Sequence, residues 1–85
     1  MNAPIMLKHL EAVLRDRAET YGDPAVFFEA VAKRWSLTLG VPVTPAQVVL
    51  CQLDVKHKRL VHNPTHLDSI TDTAGYAAVL AEVTQ

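Results

Sequence analysis

Proline and glycine punctuate this chain in a way that admits few folds. Pro4 stands at a helical first turn, where its missing N–H is one the helix leaves unused. Gly22 supplies a stop, and Asp23-Pro24 follows at once with a capping carboxylate and a second first-turn proline. Gly40 ends the next segment. Pro42 then pushes Val41 into extended backbone, and Thr44-Pro45 repeats the cap-plus-proline signal. Asn63-Pro64 breaks the third segment, leaving Thr65 to cap a fourth. The marks divide the chain into four stretches of roughly 15 residues with short links, the dimensions of a helical bundle.

Within each stretch the apolar residues recur at helical spacing. Ile5 or Met6, Leu10, Val13 or Leu14 and Arg17 form the first stripe, and Phe27 or Phe28, Val31, Trp35 and Leu39 form the second. The third segment carries Val49, Leu53, Lys56 and Leu60 on one line, with Val48, Cys51, Val55 and Arg59 beside it. Ile70, Ala74, Ala77, Ala78 and Ala81 give the fourth a small-residue face suited to close helix packing. No β-branched run alternates as a strand would. The expected fold is all-α, a compact bundle of about four helices in a single domain over residues 1–85, with Trp35 as a core anchor.

Composition narrows the function classes. A chain of 85 residues buries only about 60% of its unfolded surface. With 49% apolar residues it keeps apolar surface exposed, so self-association is expected to complete the core. The net charge of −1, without a basic tail, argues against a protein that coats nucleic acid. No apolar run approaches the roughly 18 residues of a membrane span, and no signal-peptide pattern opens the chain. A single cysteine, Cys51, excludes an internal disulfide and fits a reducing compartment. Its helical apolar surroundings mark it as a small buried hydrophobe. The expected location is the cytoplasm of a bacterial host.

The chemistry lies in the polar residues around Asn63-Pro64. Asp68 and Asp72 stand four apart with Tyr76 next on the same line, while Lys56, His57, Lys58, Arg59 and His62 precede the break. A short turn makes the flanking helices antiparallel neighbours, which brings Lys56 and Arg59 toward Asp68 and Asp72. Two readings are open. In one, the four residues are a salt-bridge network that fixes the hairpin register. In the other, Asp68 and Asp72 share a Mg²⁺ ion while Lys56 and Arg59 contact phosphate. A third metal ligand would come from another helix. Glu29 is the best placed, with Glu19 and Asp23 as alternatives, and Glu29 facing solvent is the competing assignment. Tyr21 and Tyr76 either cover a nucleobase or pack on the bundle. The histidines lack zinc spacing, and there is no Walker loop, dinucleotide fingerprint or nucleophile elbow.

The order "YGDP", an aromatic-rich helix ending in Trp, "LGVPVTPAQVVL", "K-x-x-R-L" and "HLDSITDTAGYAAVLAE" resembles a family of small phage and prophage proteins of uncharacterised function. The resemblance runs from about Arg15 to Glu82 and is most specific at Lys56, Arg59, Asp68, Asp72, Gly75 and Tyr76. That family is in turn similar to the MazG-like all-α nucleotide pyrophosphohydrolases. The resemblance implies a helical bundle that assembles as a dimer or larger oligomer. It also implies Mg²⁺-dependent release of pyrophosphate from a nucleoside triphosphate, with Asp68 and Asp72 on the metal and Lys56 and Arg59 on phosphate. MazG enzymes carry E-x-x-E and E-x-x-D pairs. Here Ala32 stands three after Glu29, and Asp68 and Asp72 are four apart. Two function classes therefore stand side by side. One is a nucleotide-binding protein with or without hydrolysis. The other is a non-catalytic phage protein that binds a host protein, for example to inhibit or redirect a defence component.

Overall fold

The computed structural model describes all 85 residues as four helices: α1 (Ala3–Tyr21), α2 (Pro24–Leu39), α3 (Pro45–His62) and α4 (Leu67–Val83). The helix ends follow the punctuation. Asp23 accepts the Ala25 N–H at the start of α2, and Gly22 and Gly40 take positive φ values of 84° and 73° after α1 and α2. Thr44 and Gln47 form a reciprocal capping box that opens α3. Between them, the Ser36 hydroxyl accepts the Val43 N–H at 2.9 Å and donates to the Ala32 carbonyl, which pins the extended Val41–Val43 linker to α2. The α4 cap differs from expectation. His66, not Thr65, receives the Ser69 N–H on its Nδ1, while Thr65 bonds back to the Asn63 side chain.

A tight turn folds α4 back along α3, and this hairpin is the most extensive helix pair. α2 lies across both helices, and α1 rests mainly on α4. Val48 and Val49 of α3 are fully buried, joined by Ala32 of α2 and Leu10 of α1. The α3 line of Val49, Leu53, Lys56 and Leu60 faces inward as its spacing predicts.

Three expectations are corrected. Cys51 is exposed, because α3 turns the line it shares with Val55 and Arg59 to solvent. Trp35 is half-buried and Leu39 exposed, so Ala32 takes the anchoring position in α2. The small-residue face of α4 is also not the packed one. Ser69, Thr71, Asp72 and Gly75 point inward, while Ile70 and Ala74 are half-buried and Ala77, Ala78 and Ala81 are exposed. Asp72 sets this rotation through partners on two other helices.

The molecule measures 42 × 29 × 21 Å with a radius of gyration of 13.7 Å, against about 12 Å for a compact domain of its length. Its accessible surface is 5939 Å², where the size scaling of folded monomers gives roughly 5000 Å². The excess includes Ile5 and Leu7 on α1, Val26 and Leu37 on α2, and Val55 and Val61 on α3. No helix is long and apolar enough to cross a membrane.

Candidate functional site: a charge-paired cleft beside α4

The inward rotation of α4 buries the Asp72 carboxylate, and each of its oxygens meets a different cation. Arg17 of α1 donates from a guanidinium nitrogen to Oδ1 at 2.6 Å, and Lys56 of α3 places Nζ 2.9 Å from Oδ2. The Asp72 and Lys56 side chains are 9% and 11% exposed, and that of Arg17 is 40% exposed. One side chain of α4 thus ties it to both α1 and α3.

Burial alone would push the Asp72 carboxyl up. The hydrogen bonds from Lys56 and Arg17, with their charges, outweigh it and hold the group below the ordinary carboxylate value. Arg17 is raised in turn, first by its hydrogen bond to Asp72 against the opposing effect of burial, then by the charges of Asp72, Tyr76 and Asp68. One carboxylate thus faces two cationic side chains, and the cluster has a surplus of positive charge.

Arg17 and Asp72 also line a cleft of about 420 Å³ among α1, α2 and α4. Its aromatic lining is a chain of four rings. Tyr21 lies 6.0 Å from Phe27, Phe27 packs edge-on against Phe28 at 5.1 Å, and Phe28 meets Tyr76 at 6.3 Å, all centroid to centroid. The α1–α2 break gathers these rings, because Gly22 and the capped Asp23-Pro24 turn Tyr21 and Phe27 toward one another. Gly75 completes the α4 side of the cleft.

The structure brings Lys56 and Asp72 together, and it places Tyr21 and Tyr76 in one cleft. It does not bring in the others. Arg59 and Asp68 are exposed and make no ion pair, although the Asp68 charge still reaches Arg17. Glu29 is exposed on α2, 3.8 Å from Lys33 one turn away. Asp23 is engaged in its helix cap. The residue that sequence reasoning missed is Arg17. Its signal was present: a cation standing on the apolar stripe of α1 in line with Leu10 and Leu14 requires a buried anion.

This donor set does not suit magnesium. Both Asp72 oxygens are committed to cations, Glu29 lies elsewhere, and no three His, Cys, Asp or Glu side chains gather into a metal-binding group. Asp72 is also a weak base, since two cations hold its carboxylate in the charged form.

Comparison with known proteins agrees with the phage-type sequence pattern. A family described as a domain of unknown function, DUF6378, matches residues 4–84. The Gene 55 protein of Mycobacterium phage L5 is 35% identical over 74 residues, which cover 86% of this chain and 47% of that protein. The chain therefore spans about half the length of this curated relative. No solved structure matches.

Proposed function

The chain belongs to the DUF6378 family, and we propose that this phage-type protein is a small binding module for an anionic aromatic ligand, with a nucleotide as the ligand class. The observation that carries the reading is the four-ring chain beside the Arg17 fork. A cleft of about 420 Å³ falls within the usual range for small-molecule sites. Ring faces stack a base, worth roughly 1–3 kcal/mol per base. Arg17 has five N–H donors, of which its bond to Asp72 uses one, and its partial exposure leaves the rest open to a phosphate. The surplus positive charge of the triad favours an anion. Lys56, screened behind Asp72, holds the carboxylate in place and does not meet the ligand. The resemblance of the sequence pattern to MazG-like pyrophosphohydrolases would imply the same ligand class. The reading stops at binding, because no free carboxylate in the cleft is left to act as a base or to hold magnesium.

The test is thermal denaturation with nucleoside mono-, di- and triphosphates, each with and without Mg²⁺. A ligand that binds only the folded state at a hundred times its dissociation constant adds about 2.7 kcal/mol. The expected result is a rise in midpoint that weakens with salt and disappears in Arg17→Gln. That variant stays folded, because a partly exposed guanidinium contributes under about 1 kcal/mol. Absence of any shift at millimolar nucleotide overturns the reading. Mg²⁺-dependent pyrophosphate release from a nucleoside triphosphate would restore the hydrolytic alternative.

One observation favours a second reading, a non-catalytic protein that docks on a host protein. Leu37 and Val61 are 76% and 79% exposed on α2 and α3, apolar side chains open to a partner surface. Binding to a purified host protein that is abolished by Leu37→Glu, with no nucleotide response, would decide for it.

A further inference from the structure

We propose that the cleft selects a nucleoside carrying one phosphate over its di- and triphosphates, which rests on the nucleotide reading above and narrows it. The ground is the number of cations that a ligand can reach. Of the eight Lys and Arg residues, Arg17 is the one that lines the cleft. Lys56 stands behind the Asp72 carboxylate and is 11% exposed, so it is closed to a ligand. Arg15 faces an adjoining groove, where Glu11 takes it up at 2.6 Å. Lys33 lies beside Glu29 on α2, and neither Lys8 nor Arg34 lines the cleft. Lys58 and Arg59 extend from α3, which contributes no residue to the lining.

One guanidinium matches one phosphate. Its bond to Asp72 occupies a single N–H, and the remaining donors can fork onto two oxygens of the same phosphate. Tyr21 follows Arg17 by four residues on α1, the spacing that makes side chains neighbours along a helix. Ring and guanidinium therefore stand one turn apart. A monophosphate suits that short reach, because its phosphate is attached directly to the sugar that carries the base.

A second or third phosphate finds no further cation and meets carboxylates instead. Asp23 lies in the chain between the lining residues Gly22 and Pro24, and Asp68 stands one turn before Asp72, close enough for its charge to reach Arg17. Both aspartates are exposed. Like charges about 4 Å apart in water repel enough to weaken binding roughly fivefold. Nor can Mg²⁺ bridge the extra phosphates to Asp72, since both of its oxygens are already bonded. This charge inventory runs against the triphosphate that the sequence resemblance implies. It also disfavours the phosphorylated end of a strand, whose next phosphodiester brings a second uncompensated charge.

Isothermal titration calorimetry of the full chain at low salt with EDTA tests the proposal. The titrants are the nucleoside and its 5′-mono-, di- and triphosphate for each of the four bases, with a 5′-phosphorylated dinucleotide as the strand-end probe. The monophosphate should bind tightest, with the triphosphate and the dinucleotide roughly five- to tenfold weaker. Asp68→Asn alters an exposed side chain that makes no ion pair, so the fold is kept. It should narrow the gap between mono- and triphosphate, a change that a purely structural role for Asp68 would not produce. Arg17→Lys leaves a cation for Asp72 but removes the fork, and should bring the monophosphate close to the bare nucleoside while helical circular dichroism is retained. A triphosphate or dinucleotide bound as tightly as the monophosphate overturns the proposal, as does a nucleoside that binds equally well without its phosphate. Either result leaves the nucleotide reading standing, whereas binding of none of these compounds overturns both.

Discussion

Asp72 is the residue on which the most structure depends. Truncation to Ala leaves Lys56 buried without a counter-charge, the arrangement that costs about 3–5 kcal/mol in other proteins. Lys56 accounts for most of this, since Arg17 is open enough to water that its share is that of a surface pair. A domain this small has a total stability near the low end of about 5–15 kcal/mol, so Asp72→Ala should sit close to its unfolding midpoint at 37 °C, measured by urea titration. The acid dependence follows from the same contacts. The folded carboxyl lies below its ordinary value of 3.8, so the unfolded chain takes up the proton first. The Asp72 contribution is therefore complete above that value and is lost as pH falls through the lower, folded one. Asp72→Asn should flatten the acid limb of a stability–pH profile. Gly75 poses the opposite case. It lies mid-helix, where glycine costs about 0.5–1 kcal/mol relative to alanine. An added methyl would meet Leu10 and Leu14 at 3.6 and 3.8 Å, ordinary contact distances. Gly75→Ala should raise the thermal midpoint by several degrees, at about 4–8 °C per kcal/mol. If a ligand uses the cleft that Gly75 lines, the same change weakens its binding.

At the scale of elements, the starts and ends of α1, α2 and α3 were legible because capping is local chemistry. Asp23-Pro24 and Thr44-Pro45 satisfy their own N–H groups from side chains within three residues, whatever the rest of the chain does. The start of α4 was less legible, since a histidine cap is uncommon and Thr65 stood beside it. The imidazole accepts the Ser69 N–H at 3.3 Å and also pairs with the Ser69 hydroxyl at 2.8 Å. His66→Ala should cost about 0.5–2 kcal/mol and speed amide exchange in the first turn of α4, with His66→Asn retaining most of the protection. The rotation of α4 was not legible from its own sequence. Periodicity favoured the alanines, yet a buried carboxylate with two partners on other helices turned the small polar side inward. Such a preference is set by tertiary partners, and a pattern read one helix at a time does not contain it.

For the whole molecule, the all-α architecture and the approach of Lys56 to Asp72 followed from hydrophobic period and a short connection. The aromatic cleft did not, because it assembles from three helices whose relative placement no local rule specifies. The sequence placed Tyr21 and Tyr76 as separate candidates, and the fold joined them through Phe27 and Phe28. The apolar excess noted in the composition reappears as exposed side chains spread over α1, α2 and α3. The clasp that holds three helices through one carboxylate has a consequence for how such chains diverge. A lone change at position 56 or 72 leaves a buried charge short of its partner, whereas exchanging both for well-packed apolar side chains need not weaken the fold. Related sequences should therefore carry positions 56 and 72 as one inherited unit, altered together or left alone.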